Sequence, residues 1–254
     1  MKNPRSLLIT GASSGIGAAL ALEYAAPGVT LYLSGRDKGR LEAVCRACRD
    51  KGARAEGRVL DVTDRKTMAA WIQEADAQTP LDLVIANAGI AKSYHRDVDL
   101  AQHTADIFAV NVNGVFHTVH PALELMRRRK RGQIAIMASL AGYRGMSSAP
   151  AYSTSKACVK AYGEALRGAY WRDGIEINVI CPGFVTSRIT ERNKFPMPFL
   201  MSAEKAARLI RRGLARNRAR ISFPWQLALF LEALLRLLPE SILDRTFRRL
   251  PDKS

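Results

Sequence analysis

The chain predicts an α/β fold: one doubly wound parallel sheet with helices on both faces, followed by a C-terminal helical extension. Three observations carry the prediction. Short apolar runs that read as buried strands alternate with longer stretches of helical periodicity from residue 7 to residue 180, the pattern that right-handed β-α-β crossovers produce. The first such strand passes directly into a glycine-rich turn and then an alanine-rich helix. Further on, an apolar run ends at Ser139, and Tyr152 and Lys156 follow at helical spacing.

With 254 residues, 48% of them hydrophobic, the chain can bury a full core. It has no long Pro/Gly/Ser linker, so residues 1–224 are expected to form one domain and 225–254 an extension of it. Residues 1–6 carry positive charge, but the apolar run Leu7-Leu8-Ile9 behind them is too short for a signal peptide. No stretch approaches the ~20 apolar residues of a membrane span, and a cytoplasmic location is expected. Cys45 and Cys48 lie in a helix-like stretch with no second pair or nearby histidine to complete a zinc site; with Cys158 and Cys181 they read as reduced thiols. His95, His103, His117 and His120 form no His-Glu-x-x-His arrangement, so no metal is expected. The net charge of +16 points to an anionic partner, whether a phosphorylated cofactor, an acidic carrier protein, a membrane surface or nucleic acid. Charge alone does not choose among them, and no nucleic-acid-binding motif is present.

Taken in order, residues 7–10 form a short buried strand, Gly11-Ala12-Ser13-Ser14-Gly15-Ile16-Gly17 the turn, and the stretch to residue 26 a helix. Strand, glycine turn and helix in this succession open a dinucleotide-binding unit. Gly11 permits the tight turn, Gly15 lets backbone approach a pyrophosphate, Gly17 allows close helix packing, and the phosphates sit on the helix N-terminus. A second strand, 30–34, ends at Gly35-Arg36, where an NAD-selective site usually places a carboxylate on the ribose hydroxyl. A guanidinium there can pair bidentately with a 2′-phosphate, which favours NADP(H) over NAD(H), although Asp37 stands next door.

A helix over 40–51 and a strand over 53–60 follow, and Asp61-Val62-Thr63-Asp64 opens a helix across 67–77. Asp61 and Val62 thus lie at a strand end beside the cleft, with Thr63 and Asp64 better placed as caps. The strand 81–86 ends in Asn87-Ala88-Gly89, small residues that let the chain pass close to a ligand. One long helix is expected over 106–128; Asn111 within it is a poor helix former and implies a kink or a water-binding role. The basic run 127–131 before Gly132 reads as a helix C-terminus complementing its dipole. After the Tyr152 helix comes a strand over 175–180, and Pro182 to Thr186 turn away from it.

Tyr152 and Lys156 share one helix face. A free tyrosine titrates near pH ~10, and an ammonium beside it stabilises the phenolate and lowers that value, so the pair can exchange a proton with an alcohol or carbonyl. Ser139 is expected at a strand's carboxyl end facing that helix, where ligands bind in open α/β sheets.

Together, residues 10–17, Asn87-Ala88-Gly89, Asn111, Ser139, Tyr152-x-x-x-Lys156 and Pro182-Gly183-x-Val185 resemble the short-chain dehydrogenase/reductase family over about residues 5–224, with Ala86 where the family often shows an asparagine. The resemblance implies a Rossmann-type fold with Tyr152 as general acid/base. It implies that Lys156 lowers the Tyr152 pKa and holds the nicotinamide ribose, that Ser139 orients the substrate oxygen, and that Asn111 holds a water linking Lys156 to solvent. Pro182, Gly183 and Thr186 would border the nicotinamide, Thr186 near its carboxamide, and a homodimer or homotetramer would form through the helices holding Asn111 and Tyr152.

On the substrate side, residues 187–201 contain Phe195-Pro196-Met197-Pro198-Phe199-Leu200-Met201, which two prolines keep out of regular helix. By position this is a lid, and its Met and Phe favour a hydrophobic substrate. A helix with Arg208, Arg211, Arg212 and Arg216 follows, then Arg218, Arg220 and a strand at 221–223. The run 225–238 is interrupted only by Gln226, Glu232 and Arg236, so as a helix it is expected to bury most of its circumference, in a dimer interface, over the pocket, or in the headgroup region of a membrane; Phe247, Arg248 and Arg249 repeat the mixture. The expected activity is an NADPH-dependent reduction of a hydrophobic, lipid-like or acyl-carrier-borne ketone. An NAD-linked alcohol dehydrogenase and a cofactor-sensing or nucleic-acid-binding protein are the rivals, and intact Ser139, Tyr152 and Lys156 speak against the last.

Overall fold

The computed structural model describes residues 1–91, 98–187, 190 and 197–247. His95, Phe195, Pro196, Arg248 and Arg249, all raised above, lie outside the described residues, as do 188–189 and 191–194 of the expected lid.

Seven parallel strands form one sheet in the order β3-β2-β1-β4-β5-β6-β7. They are β1 (Ser6–Ile9), β2 (Thr30–Gly35), β3 (Arg54–Val59), β4 (Leu83–Ala86), β5 (Gly132–Met137), β6 (Ile175–Pro182) and β7 (Arg220–Phe223). The chain starts in the middle, winds outward to β3, then returns past β1 to β4, which leaves a crevice at the carboxyl ends of β1 and β4. Successive side chains of β1 point to opposite faces. Leu7 and Ile9 enter the core beneath α1 (Gly15–Tyr24), α2 (Lys38–Asp50) and α7 (Ala203–Ala215), and Leu8 enters the core on the other side. That second core is covered by α3 (Arg65–Gln78), α5 (Gly114–Arg128) and α6 (Pro150–Tyr170).

The single helix expected over 106–128 is instead three segments, α4 (Leu100–Phe108), a π-helical turn (Ala109–Asn113) and α5. Asn111 accounts for the break. Its carboxamide oxygen accepts from Ile90 N (2.8 Å), and its nitrogen donates to Ile90 O (3.0 Å) and Ser155 Oγ (3.1 Å). Satisfying that buried amide requires the backbone to turn it toward the sheet, and a π-turn does so. The kink read from Asn111 is therefore present.

The basic run closing α5 is largely paired: Arg127 with Asp173, Arg128 with Glu124, Arg129 with both oxygens of Asp76 at 2.8 Å, and Arg131 with Asp82. Asp64 caps α3 through Lys66 N and Thr67 N, as its position implied.

The expected C-terminal helical extension is present. It forms α8 (Trp225–Leu237) and α9 (Glu240–Phe247), yet within this chain α8 buries only one side, on Ala228 and its neighbours. Trp225, Leu229, Phe230 and Leu237 are 60–79% exposed. Nor do the α7 arginines share a core with α8. The buried side of α7 belongs to one face of the sheet and Ala228 of α8 to the other, while Arg220 of β7 pairs with Glu232 of α8 at 2.7 Å.

Candidate active site

The glycine turn is built by close approach. Gly11 (φ +66°) and Gly15 (φ +55°) hold left-handed backbone, and a Cβ on Gly17 would stand 2.3 Å from the Gly11 carbonyl oxygen. The Asn87 amide donates to Thr10 O (2.9 Å) and Gly11 O (3.3 Å), while Asn87 N and Ala88 N both donate to Thr10 Oγ1 at 3.1 Å. The turns after β1 and β4 are thereby locked together. The first turn of α1 carries no acidic residue, Ser14 makes no side-chain cap, and Gly15 and Ile16 line the crevice, so the backbone N–H groups there could hold an anion.

A cavity of about 600 Å³ opens along these turns, large enough for a dinucleotide's reactive half and a small substrate. One end is lined by Ser34, Gly35, Arg36, Asp37, Arg40 and Asp61. Arg36 reaches Asp61 at 3.7 Å with 66% of its side chain exposed. Asp37 caps α2 by accepting from Arg40 N and pairs with the Arg40 guanidinium at 2.9 Å. Ser34 Oγ and Arg40 Nε are buried with no hydrogen-bond partner among the described residues. The orphaned Ser34 hydroxyl and the unpartnered N–H of the Arg40 guanidinium, beside the Arg36 guanidinium, fit an additional anionic group. Ser34 and Arg40 were missed in the sequence; the signal for Arg40 was its spacing, four residues after Arg36 on the opening turn of α2.

Ser139, Tyr152 and Lys156 line the other end. Ser139 caps the turn after β5, its Oγ accepting from Ala141 N (3.1 Å) and donating to Pro182 O (3.3 Å). It also hydrogen-bonds the Tyr152 phenol, which lowers the phenol's pKa, but burial raises it more, and the net shift is upward. Lys156 is buried, its ammonium donates to Met137 O (2.9 Å), and burial pulls its pKa down to about 8. The ammonium lies 5.9 Å from the Tyr152 ring centroid, one helical turn along α6.

The remaining readings divide. Ser13, Ser14, Ile16, Val62, Asn87, Ala88, Gly89, Pro182 and Gly183 line the cavity. Gly17 and Asn111 stand behind its wall, Asn111 Oδ1 lying 3.2 Å from where a Gly89 Cβ would be. Thr186 turns away, its N–H and Oγ1 both donating to Met201 O (2.9 and 3.3 Å) because Val185 bridges Met201 there. Ser187 and Thr190, missed in the sequence, take its place on the cavity wall.

The family model for short chain dehydrogenase matches residues 5–196. An uncharacterized oxidoreductase of Myxococcus xanthus is 39% identical over 97% of each chain. A protein of Streptomyces virginiae, provisionally named as the monensin polyketide synthase ketoacyl reductase, is 36% identical over 74% of this chain and 73% of its own. Among solved structures, a short chain dehydrogenase/reductase from Burkholderia phymatum in complex with NAD superposes with a TM-score of 0.84 at 25% identity, covering 92% of this chain and 94% of that one. The chain belongs to the short-chain dehydrogenase/reductase family. It is an oxidoreductase of that family with a Rossmann-type sheet, and it uses a nicotinamide cofactor.

Proposed function

We propose that the protein reduces the carbonyl of a hydrophobic ketone with NADPH. The observation that carries this reading is the division of one cavity into two chemistries: a Ser139–Tyr152 hydrogen bond beside buried Lys156 at one end, and Arg36, Arg40 and the orphaned Ser34 Oγ at the other. When bound, the cofactor supplies the hydride. Ser139 holds the substrate oxygen, and Tyr152, kept protonated by burial, gives its proton to that oxygen as negative charge develops. Lys156 would hold the nicotinamide ribose, and its ammonium would be the nearby source from which Tyr152 is reprotonated. Asn111 has one Oδ1 lone pair left for a bridging water. The glycine turn and the α1 N-terminus take the pyrophosphate, and Arg36 with Arg40 takes the 2′-phosphate.

Val185 in the wall and Met201 bridged to it give the substrate end an apolar border, which suits a lipid-like or carrier-borne acyl ketone, as does the likeness to a polyketide ketoacyl reductase. We read the protein as a cytoplasmic homo-oligomer paired through α5 and α6, with α8 against a second copy or an anionic surface. A second reading, NAD-linked alcohol oxidation, is favoured by the Arg36–Asp61 contact, which partly neutralises the guanidinium. A panel of ketones and alcohols assayed with both cofactors separates the readings. The expected result is ketone reduction with NADPH at least ~10-fold above NADH in kcat/KM, the equivalent of one charge-assisted hydrogen bond. An NADH preference, or activity on alcohols alone, overturns it.

A further inference from the structure

The tail makes a second, separate contact with the catalytic half of the molecule. Arg144 lies between Ser139 and Tyr152 in sequence, with only 19% of its side chain exposed. Its two guanidinium nitrogens are divided between two carboxylates of α9, Glu240 at 2.8 Å and Asp244 at 2.7 Å. The Phe247 ring lies over the same guanidinium, 5.5 Å from centroid to carbon, and Ser147 Oγ donates to Phe247 O at 3.3 Å. Leu243, on the inner side of α9, is 1% exposed. A planar fork gripped by two acids and capped by a ring has its orientation fixed.

The segment so gripped is the one that presents the catalytic groups. Gly142 rests on the backbone of Lys156, where a Cβ would come within 2.7 Å of the Lys156 carbonyl carbon. Met146 N donates to Ser153 Oγ (3.1 Å), next to Tyr152. Tyr143 is pinned on the other side, its hydroxyl 2.8 Å from Ser222 Oγ of β7. A short segment tied to Ser139 at one end, to α6 at the other and to the tail in the middle transmits displacement of any one tie to the other two.

We propose that Arg144 is a positioning residue, and that α9, by holding it, braces the segment 140–149 so that Ser139 and Tyr152 keep their mutual geometry. The tail is then a working part of the active site although it touches no reacting atom. This rests on the reading that Ser139 and Tyr152 carry the chemistry, and the test separates the two.

The full-length chain and three variants are compared: Arg144→Ala, the α9 pair Glu240→Gln/Asp244→Asn, and all three changes combined. Amide exchange over 140–153 and steady-state ketone reduction are read on each. The expected result is at least ~10-fold faster exchange over 140–149 and an at least ~10-fold lower kcat in Arg144→Ala, with KM for the cofactor unchanged. The α9 pair should reproduce both changes, and the triple variant should be no worse than Arg144→Ala, since coupled residues are not additive. Arg144→Lys should recover part of kcat. Exchange and kcat unchanged in Arg144→Ala, or additive losses in the triple variant, overturn the brace. Exchange that responds as described in a chain that reduces no ketone leaves the brace standing and removes the reductase reading instead.

Discussion

The crevice between β1 and β4 and the outer face of α8 are opposite ways of using side chains. In the crevice nearly every polar group has a short-range job: Asn87 closes on Thr10 and Gly11, Asn111 on Ile90 and Ser155, Lys156 on Met137. Glycines stand where a single Cβ would strike backbone. On the outer face of α8, Trp225, Leu229, Phe230 and Leu237 are left largely exposed by the described residues. A change in the first region is therefore felt by several partners at once, whereas a change in the second is felt only by whatever covers α8.

Lys156 should show the largest effect of this kind. Its folded pKa of about 8 lies below the ordinary lysine value of 10.5 because of burial. Between those two pH values the unfolded chain holds a proton that the folded chain has released, so stability rises with pH across that window; below it the buried charge is a cost. At ~1.4 kcal/mol per pKa unit the difference is a few kcal/mol. Urea midpoints of the cofactor-free chain, measured from about pH 7.5 to 10 against Lys156→Met, should show the wild type gaining on the variant as pH rises. Parallel curves would mean that the ammonium is better solvated than its burial implies.

Next in size is the far end of the crevice. Arg36→Ala and Arg40→Ala should each weaken NADPH binding by ~10- to 100-fold, the worth of a charge-assisted hydrogen bond, and leave NADH nearly unchanged. Titration calorimetry with both cofactors reads the difference. Equal losses for the two cofactors would place the 2′-phosphate elsewhere.

The glycine turn, the serine, and the tyrosine with its lysine were legible in the sequence because their chemistry is local: each is fixed by residues within a few positions, on elements whose periodicity is plain. The π-turn was half legible, since Asn111 announced a disturbance but not its form. The partner of Thr186 was not legible, because its hydrogen bonds go to Met201, fifteen residues away across a bridge. The Met137 carbonyl as the partner of the Lys156 ammonium was not legible, because it comes from a distant strand and helical spacing does not reveal it. The tail was least legible. Hydropathy shows that α8 is apolar but not what lies against it, and the Arg144 brace joins residues about a hundred positions apart.

The smallest effect belongs to α8. Leu229→Ser with Phe230→Ser should change the stability of the single chain by no more than ~0.5 kcal/mol, as for exposed sites generally. If a second copy covers α8, sedimentation should show a smaller oligomer; if an anionic surface does, flotation with anionic vesicles should be lost while the oligomer persists. A large loss of thermal stability with neither change would show that the face is buried within the chain itself.

The central claim is that Tyr152 delivers the proton in a crevice that binds the cofactor independently of that proton. Tyr152→Phe tests it most directly, with kcat for ketone reduction and the dissociation constant for NADPH measured on the same preparation. The account predicts a kcat lower by ~10²- to 10⁴-fold, the usual contribution of a positioned general acid, with NADPH binding within about threefold of wild type. A variant that retains kcat within tenfold while binding NADPH normally would contradict it.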